Sequence, residues 1–247
     1  MKKTLIMMLC IAAMVFGASC GTAGQTAPVE DETPAMAGTE TLSAASEEAA
    51  DITASLDAAE TYQKIMVVTA PSAYSTMGTF VYYEYENGSW TEMLHETCVL
   101  GRDGVGQASE YTCVTPAGLY TFTHLFGNAE DPGCIMPYRQ LTGSEYWCGE
   151  EYYNQFVDED VMDHSACSRE EDEHLQNEES YEYTAAFNYN PEKIPGEGFA
   201  FFLHCYTGEN YSGGCVQIPQ SAMQWLITRI DENTCIIIDT EENIMNY

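Results

Sequence analysis

Basic residues are scarce in this chain. Eight Lys and Arg stand against 39 Asp and Glu, a formal net charge of −31. Two of the eight, Lys2 and Lys3, fall in a leader expected to be removed, which leaves six on the mature chain. Nucleic acid is therefore excluded as a partner, because phosphate contacts are made by Lys and Arg. An anionic membrane surface would repel the body of the protein for the same reason. The acidity itself reads as solubility and says nothing about a reaction.

Other absences narrow the field further. No apolar run beyond the leader is long enough to span a bilayer. No CxxC pair occurs, which argues against a zinc ribbon or a thioredoxin-like site. The glycines at 101–106 are not followed by GK[ST], so they do not form a phosphate loop. Tryptophan is rare, with 3 against 17 Tyr. Many Tyr and few long aliphatics fit a β-rich domain better than a helical bundle.

The N-terminus reads as an export signal over residues 1–20. Met-Lys-Lys is a basic start, and residues 4–17 form an apolar stretch of signal-peptide length. Small residues then lead to Cys20, as at a bacterial lipoprotein cleavage site, although Gly17 stands where Leu is usual. Cys20 is thus the expected lipidation point, and an extracytoplasmic, lipid-anchored location is expected. The lipid at Cys20 would be the sole link to the membrane. Residues 21–60 are rich in Ala, Thr, Glu and Ser and read as a disordered acidic tether. Residues 61–247 form the folded domain, expected to be a monomer.

Of ten Cys, Cys10 lies in the signal and Cys20 at its end, which leaves eight. Export permits disulfides, but their connectivity cannot be read from spacing. Most of the eight read as buried small hydrophobes.

Within the domain, residues 64–69 read as a strand. Residues 79–85 and 90–94 flank Asn87-Gly88, a strong hairpin signal. Short strands are expected at 111–114 and 119–123, and later at 181–189, 199–204 and 234–238. Residues 126–177 are irregular and acidic and read as a long excursion with lid character rather than core. His164 and His174 lie in it among Asp and Glu; a solvated acidic loop is the default reading and a metal cluster the alternative. Ser221 opens a helix, with Gln224 completing a capping-box pattern. Met223, Leu226, Ile227 and Ile230 give that helix one inward face.

The segment most informative about chemistry is 199–219, FAFFLHCYTGENYSGGCVQIP. An apolar strand ends in His204, and Ser212-Gly213-Gly214-Cys215-Val216 leads into the late helix. A free thiol is only about 3% ionised at pH 7, and lowering its pKa by two units needs about 2.7 kcal/mol of thiolate stabilisation. A neighbouring imidazolium can supply much of that. The paired glycines let backbone N–H groups turn toward a reacting carbonyl. Taken alone, a His and a Cys eleven residues apart fit a core His and a buried Cys equally well. Cys205 is set aside as a nucleophile, because on a strand it points away from the face of His204.

The segment resembles the signature of the L,D-transpeptidase catalytic domain family, a strand ending in His followed by Ser/Thr-His-Gly-Cys. The matching positions are His204, Ser212, Gly213, Gly214 and Cys215. Thr115-Pro116-Ala117-Gly118-Leu119-Tyr120 is similar to that family's Thr-Pro-x-Gly-x-Phe motif. Phe126-Gly127, Asp131-Pro132, Met136-Pro137-Tyr138-Arg139, Tyr153-Asn154 and Glu173-His174-Leu175 resemble, in order, a bacterial subgroup. The resemblance covers about residues 62–247. The family's usual histidine before Gly-Cys is Gly213 here, the loop from His204 to Cys215 is shorter than in its best-known members, and Gln217 stands where a charged residue is often found.

The resemblance implies a mainly β fold with few helices, a mixed β-sandwich with one late helix after Cys215. It implies peptidoglycan stem peptides as substrate, Cys215 as nucleophile and His204 as base. Gly213, Gly214 and Ser212 would shape the oxyanion loop. Arg139, Tyr138, Tyr153, Asn154 and His124 are candidates for holding substrate, weighed against a structural salt bridge for Arg139 and a satisfied structural role for His124. No metal and no organic cofactor is expected. Alternative readings are an L,D-carboxypeptidase-type hydrolase and a non-catalytic wall-binding lipoprotein; a zinc-binding module is a more distant one.

Overall fold

The computed structural model describes residues 53–247 except 169 and 178. The expected signal peptide, Cys20 and residues 21–52 of the expected tether lie outside the described residues.

The Asn87-Gly88 signal is realised. β2 (Met77–Glu86) and β3 (Ser89–Val99) form a long antiparallel hairpin. Both turn residues take positive φ, 54° and 88°, which Asn and Gly tolerate at least cost. β1 (Lys64–Ala70) lies between β2 and β14 (Thr234–Thr240), antiparallel to the first and parallel to the second. Every residue of β14 is buried, as its Cys-Ile-Ile-Ile run leads one to expect.

After two short strands paired in parallel, β4 (Val105–Gly106) and β5 (Thr115–Pro116), comes β6 (Gly118–Gly127), the strand that closes the sheet. Its first half pairs with β14, and its second half pairs with β11 (Thr184–Phe187). β11 continues to β12 (Phe202–Cys205), which runs parallel to β13 (Val216–Ile218), and β13 returns to β3. The sheet therefore meets itself at β6 and β11. The fold is mainly β and sandwich-like, with the late helix α1 (Gln220–Ile227) following β13. One core fills the space inside, with Phe80, Tyr82, Leu125, Leu203, Ile218 and Ile236 from the strands and Met223, Leu226 and Ile227 from α1.

Several local expectations are corrected. The packed body begins before residue 61: Leu56 and Ala58, at a 3-10 turn over Asp57–Glu60, are buried against Ile65, Ile237 and Ile244. Residues 111–114 are not a strand. Ser109 and Thr112 bond each other and the local backbone there, which offers the chain a turn instead. α1 starts one residue before Ser221, with Pro219 at the N-cap and no side-chain cap bond, so the capping box is not formed. Proline supplies the entry through its fixed φ of −53°.

The excursion at 126–177 is more ordered than its composition implies. β7 (Tyr138–Gln140) pairs with the end of β6. β8 (Glu145–Cys148), flanked by β9 (Gln155–Asp158) and β10 (Glu173–His174), makes a separate small sheet. It carries its own aromatic core, in which Trp147, Phe156 and Leu175 pack on Phe126, Tyr181 and Phe202. Acidic and apolar residues alternate here around a compact centre, so overall polarity concealed it.

Candidate functional site

His204 and Cys215 are brought to one face by the register of two parallel strands. Leu203 pairs with Val216 and His204 with Gln217. Paired residues point the same way and alternate residues share a face. Phe202, His204, Cys215 and Gln217 therefore face one side, while Leu203, Cys205, Val216 and Ile218 enter the main core. His204 and Cys215 are diagonal neighbours, a spacing of roughly 7–8 Å between Cα atoms that a long side chain can cross. Both line a cavity of about 300 Å³, together with Glu173, Tyr181, Phe199 and Gln217. Cys205 points away, as expected, with its thiol toward the Tyr183 carbonyl.

The loop before Cys215 is tied by Ser212. Its hydroxyl donates to the Cys215 carbonyl at 2.6 Å and accepts the Gly214 N–H at 3.0 Å. The Ser212 backbone is itself held by Leu100 and Arg102. Gly214 has φ +137°, and a Cβ there would lie 2.6 Å from the Phe201 ring and 2.9 Å from the Val114 carbonyl. Glycine is required at that position both for conformation and for space. Gly213 differs: a Cβ there would meet nothing within 4 Å.

The thiol of Cys215 lies 3.5 Å from the Ala200 carbonyl. Ala200 holds φ +58°, a left-handed conformation that costs a non-glycine residue about 1 kcal/mol or more. Asn154 braces this turn, accepting the Ala200 N–H at 3.4 Å and the Trp147 indole N–H at 2.9 Å.

Burial sets the protonation of both groups. Desolvation pushes the Cys215 thiol well above its ordinary range, the Glu173 carboxylate adds to this, and the Phe202 N–H opposes it. Desolvation pushes His204 down to about 4, against the opposing pull of the Cys205 and Ser180 carbonyls. The resting site therefore holds a neutral thiol and a neutral imidazole. Both charged forms are penalised in so enclosed a place. The imidazole is oriented: Nδ1 lies 2.9 Å from the Cys205 carbonyl, which places a proton on Nδ1. The Tyr181 ring stands edge-on to it, with centroids 5.0 Å apart.

The proposed substrate-holding residues divide. Tyr153 supports the cavity wall from behind, donating to Glu110 and accepting the Gly198 N–H. Asn154 and His124 line a neighbouring cavity of about 320 Å³ instead. His124 is stacked on Phe156, and burial lowers its pKa. Arg139 does not reach the Cys215 cavity. It pairs with Glu145 at 2.6 Å and Asp158 at 2.7 Å, and so joins β7 to the small sheet. Tyr138 donates to the carbonyls of Ala129 and Glu182. His164, expected in a solvated loop, is buried, with its ring nitrogens facing Glu159 and Asp172.

Glu173 and Tyr181 were given no role from sequence, yet both line the cavity, and the Tyr181 hydroxyl donates to Glu173. Glu173 stands in a motif that the family resemblance singles out; Tyr181 carries no such signal.

The model of the L,D-transpeptidase catalytic domain, YkuD, matches residues 71–238. The chain belongs to that family. The matched span of this YkuD domain contains His204, Ser212 and Cys215 alike. No curated protein matches the chain. The solved structures similar to it include these two. The helical cell shape determining protein Pgp2 of Campylobacter jejuni is 13% identical with a TM-score of 0.41, over 72% of this chain and 48% of its own. Bd1075 of Bdellovibrio bacteriovorus is 11% identical with a TM-score of 0.39, over 77% of this chain and 55% of its own. This YkuD chain thus spans about half the length of either.

Proposed function

We propose that the protein is a cysteine acyltransferase acting on peptidoglycan stem peptides, with Cys215 as nucleophile and His204 as base. The observation that carries this is the placement of the two side chains on one face of neighbouring strands, open to one cavity, in a chain of the YkuD family.

The chemistry follows from the neutral pair. As Sγ attacks the carbonyl carbon of an L,D amide, the thiol proton passes to Nε2 of His204. The Cys205 carbonyl holds the other ring nitrogen and stabilises the imidazolium that forms. The tetrahedral oxyanion is received by the Cys215 backbone N–H, on the loop that Ser212 ties down through the Gly214 N–H. The C–N bond then breaks, His204 returns its proton to the leaving amine, and a thioester remains on Cys215. A second amine resolves it to a cross-link. Water would resolve it to a shortened stem, which is the carboxypeptidase alternative.

The remaining parts of the reading follow from sequence. Residues 1–20 would direct export, Cys20 would carry the lipid anchor, and the tether would let a monomeric domain work near the outer face of the membrane.

Mass spectrometry of muropeptides incubated with the purified domain tests the activity. Cross-linked products that require an amine acceptor are expected, and the Cys215→Ala variant should give none. Shortened stems alone would assign the hydrolase. Muropeptide binding without turnover, unchanged in Cys215→Ser, would leave a non-catalytic wall-binding protein.

A further inference from the structure

Four potential ligands that are scattered in sequence converge in the excursion. Cys148 closes β8, His164 and Cys167 lie in the loop after β9, and Asp172 immediately precedes β10. One ligand atom from each lies within 4.8 Å of all the others. The cluster is almost wholly out of water: Cys148 is 0% and Cys167 6% exposed, and the His164 and Asp172 side chains are 1% and 0% exposed.

The orientation of these groups is unlike that of a self-contained polar network. His164 Nε2 and Asp172 Oδ2 lie 2.9 Å apart, yet neither makes a hydrogen bond. A buried carboxylate oxygen and a buried ring nitrogen left in that state are costly unless a cation sits between them. The two sulfurs are 3.7 Å apart, far beyond a bonded pair. A tetrahedral ion with bonds of about 2.3 Å to sulfur would hold them about 3.8 Å apart.

The surrounding contacts hold these groups from behind. The Glu150 N–H points at Cys148 Sγ from 3.3 Å. Asp172 uses Oδ1 to accept the Gly149 N–H at 2.8 Å, which turns Oδ2 inward. Glu159 holds His164 Nδ1 at 3.1 Å, which presents Nε2 as the ligand. A carboxylate behind the histidine and N–H groups behind the thiolate are how metal ligands are oriented.

We propose that Cys148, His164, Cys167 and Asp172 bind one Zn²⁺ as a closed structural site. Two thiolates with an imidazole select zinc over calcium or magnesium, and four protein ligands leave no position for substrate. Binding displaces the two thiol protons to solvent and leaves the site with a net charge of about −1. The ion pins the end of β8, the loop carrying His164 and Cys167, and the residue before Glu173. Since Glu173 lines the Cys215 cavity, the ion also fixes that wall. The same two thiols could instead be oxidised to a disulfide after export, and the test separates these outcomes.

The full chain is purified anaerobically without chelator, and its zinc is measured by inductively coupled plasma mass spectrometry. About one equivalent is expected. Exchange for Co²⁺ should give the intense visible bands of a tetrahedral ion and a near-ultraviolet thiolate-to-cobalt band. That readout needs no substitution, so it stands even if variants fold poorly. Cys148→Ser and Asp172→Asn should lose zinc at least tenfold, while Cys113→Ser and Cys215→Ala keep it. Zinc below a tenth of an equivalent after incubation with excess metal would overturn the proposal. So would a Cys148–Cys167 disulfide found by peptide mapping of protein taken directly from the cell envelope. Retention of zinc by Cys215→Ala keeps this outcome independent of whether the acyl-transfer reading succeeds.

Discussion

The Glu173 carboxylate faces the Cys215 thiol and helps to keep it protonated. A negative charge beside a group that must become negative opposes ionisation, and in a buried site the opposition is poorly screened. Removing that charge while keeping the shape should release the thiol. Glu173→Gln is therefore expected to speed alkylation of Cys215 by iodoacetamide several-fold between pH 7 and 8. Stopped-time labelling followed by intact mass measures it. An unchanged rate would mean that the carboxylate does not act on the sulfur.

The protonation of His204 links the site to folding. Its folded-state pKa, about 4, lies below the ordinary value of 6.5. Between those values the unfolded chain binds the proton and the native chain does not. The stability this group contributes is thus fully present above pH 6.5 and is lost as the pH falls through 6.5 toward 4. The loss is at most about 3 kcal/mol. Urea melts of the wild type should weaken across that window, and His204→Gln should flatten this part of the dependence. An identical acid slope in both proteins would remove His204 from the account. Labelling of Cys215 should meanwhile keep rising up to pH 9 without a plateau near neutrality, since the resting thiol is not part of an ion pair.

Arg139 offers a test of the salt-bridge role that its contacts give it. Glu145 is wholly buried, and the guanidinium that meets it is partly exposed. The Thr142 and Gly143 N–H groups also satisfy Glu145, which softens the loss of Arg139. Arg139→Ala should cost about 1–2 kcal/mol. In a protein of this size that is a fall in Tm of about 2–8 °C. Acylation of Cys215 by a β-lactam should keep its rate, read by mass. A large loss of rate with an unchanged Tm would return Arg139 to the substrate.

Particular residues show what could be read in advance. The hairpin at Asn87-Gly88 and the all-buried β14 were legible because their signals are local: positive φ at the turn, and an unbroken apolar run. The pairing of His204 with Cys215 depended on motif order, since no periodicity reveals that β12 and β13 lie side by side in parallel. Glu173 was hidden because Cys215, with which it shares a cavity, lies 42 residues on, and the Cys148 cluster because its four members are spread over residues 148–172 in a stretch whose average composition looks solvated. Local polarity cannot distinguish an acidic loop in water from acidic residues aimed at a buried centre.

The two glycines before Cys215 should respond oppositely to substitution. Gly214 is closed by the Phe201 ring and the Val114 carbonyl and holds φ +137°. Gly214→Ala must displace one or the other, at a cost of about 1–3 kcal/mol, and it shifts the Cys215 N–H. Acylation of Cys215 should fall at least tenfold. Gly213 sits where the family usually carries a histidine, with open space at its Cβ and no positive φ. Gly213→His should therefore fold as well as the wild type. The added imidazole lies at the edge of the cavity, where it can favour the thiolate or the oxyanion electrostatically, and β-lactam acylation should speed up. Side-by-side rates for the two variants decide the matter. If Gly213→His instead slows acylation with its Tm intact, the glycine is an adaptation to a bulkier substrate at that side of the cavity, and the missing histidine is not a deficit.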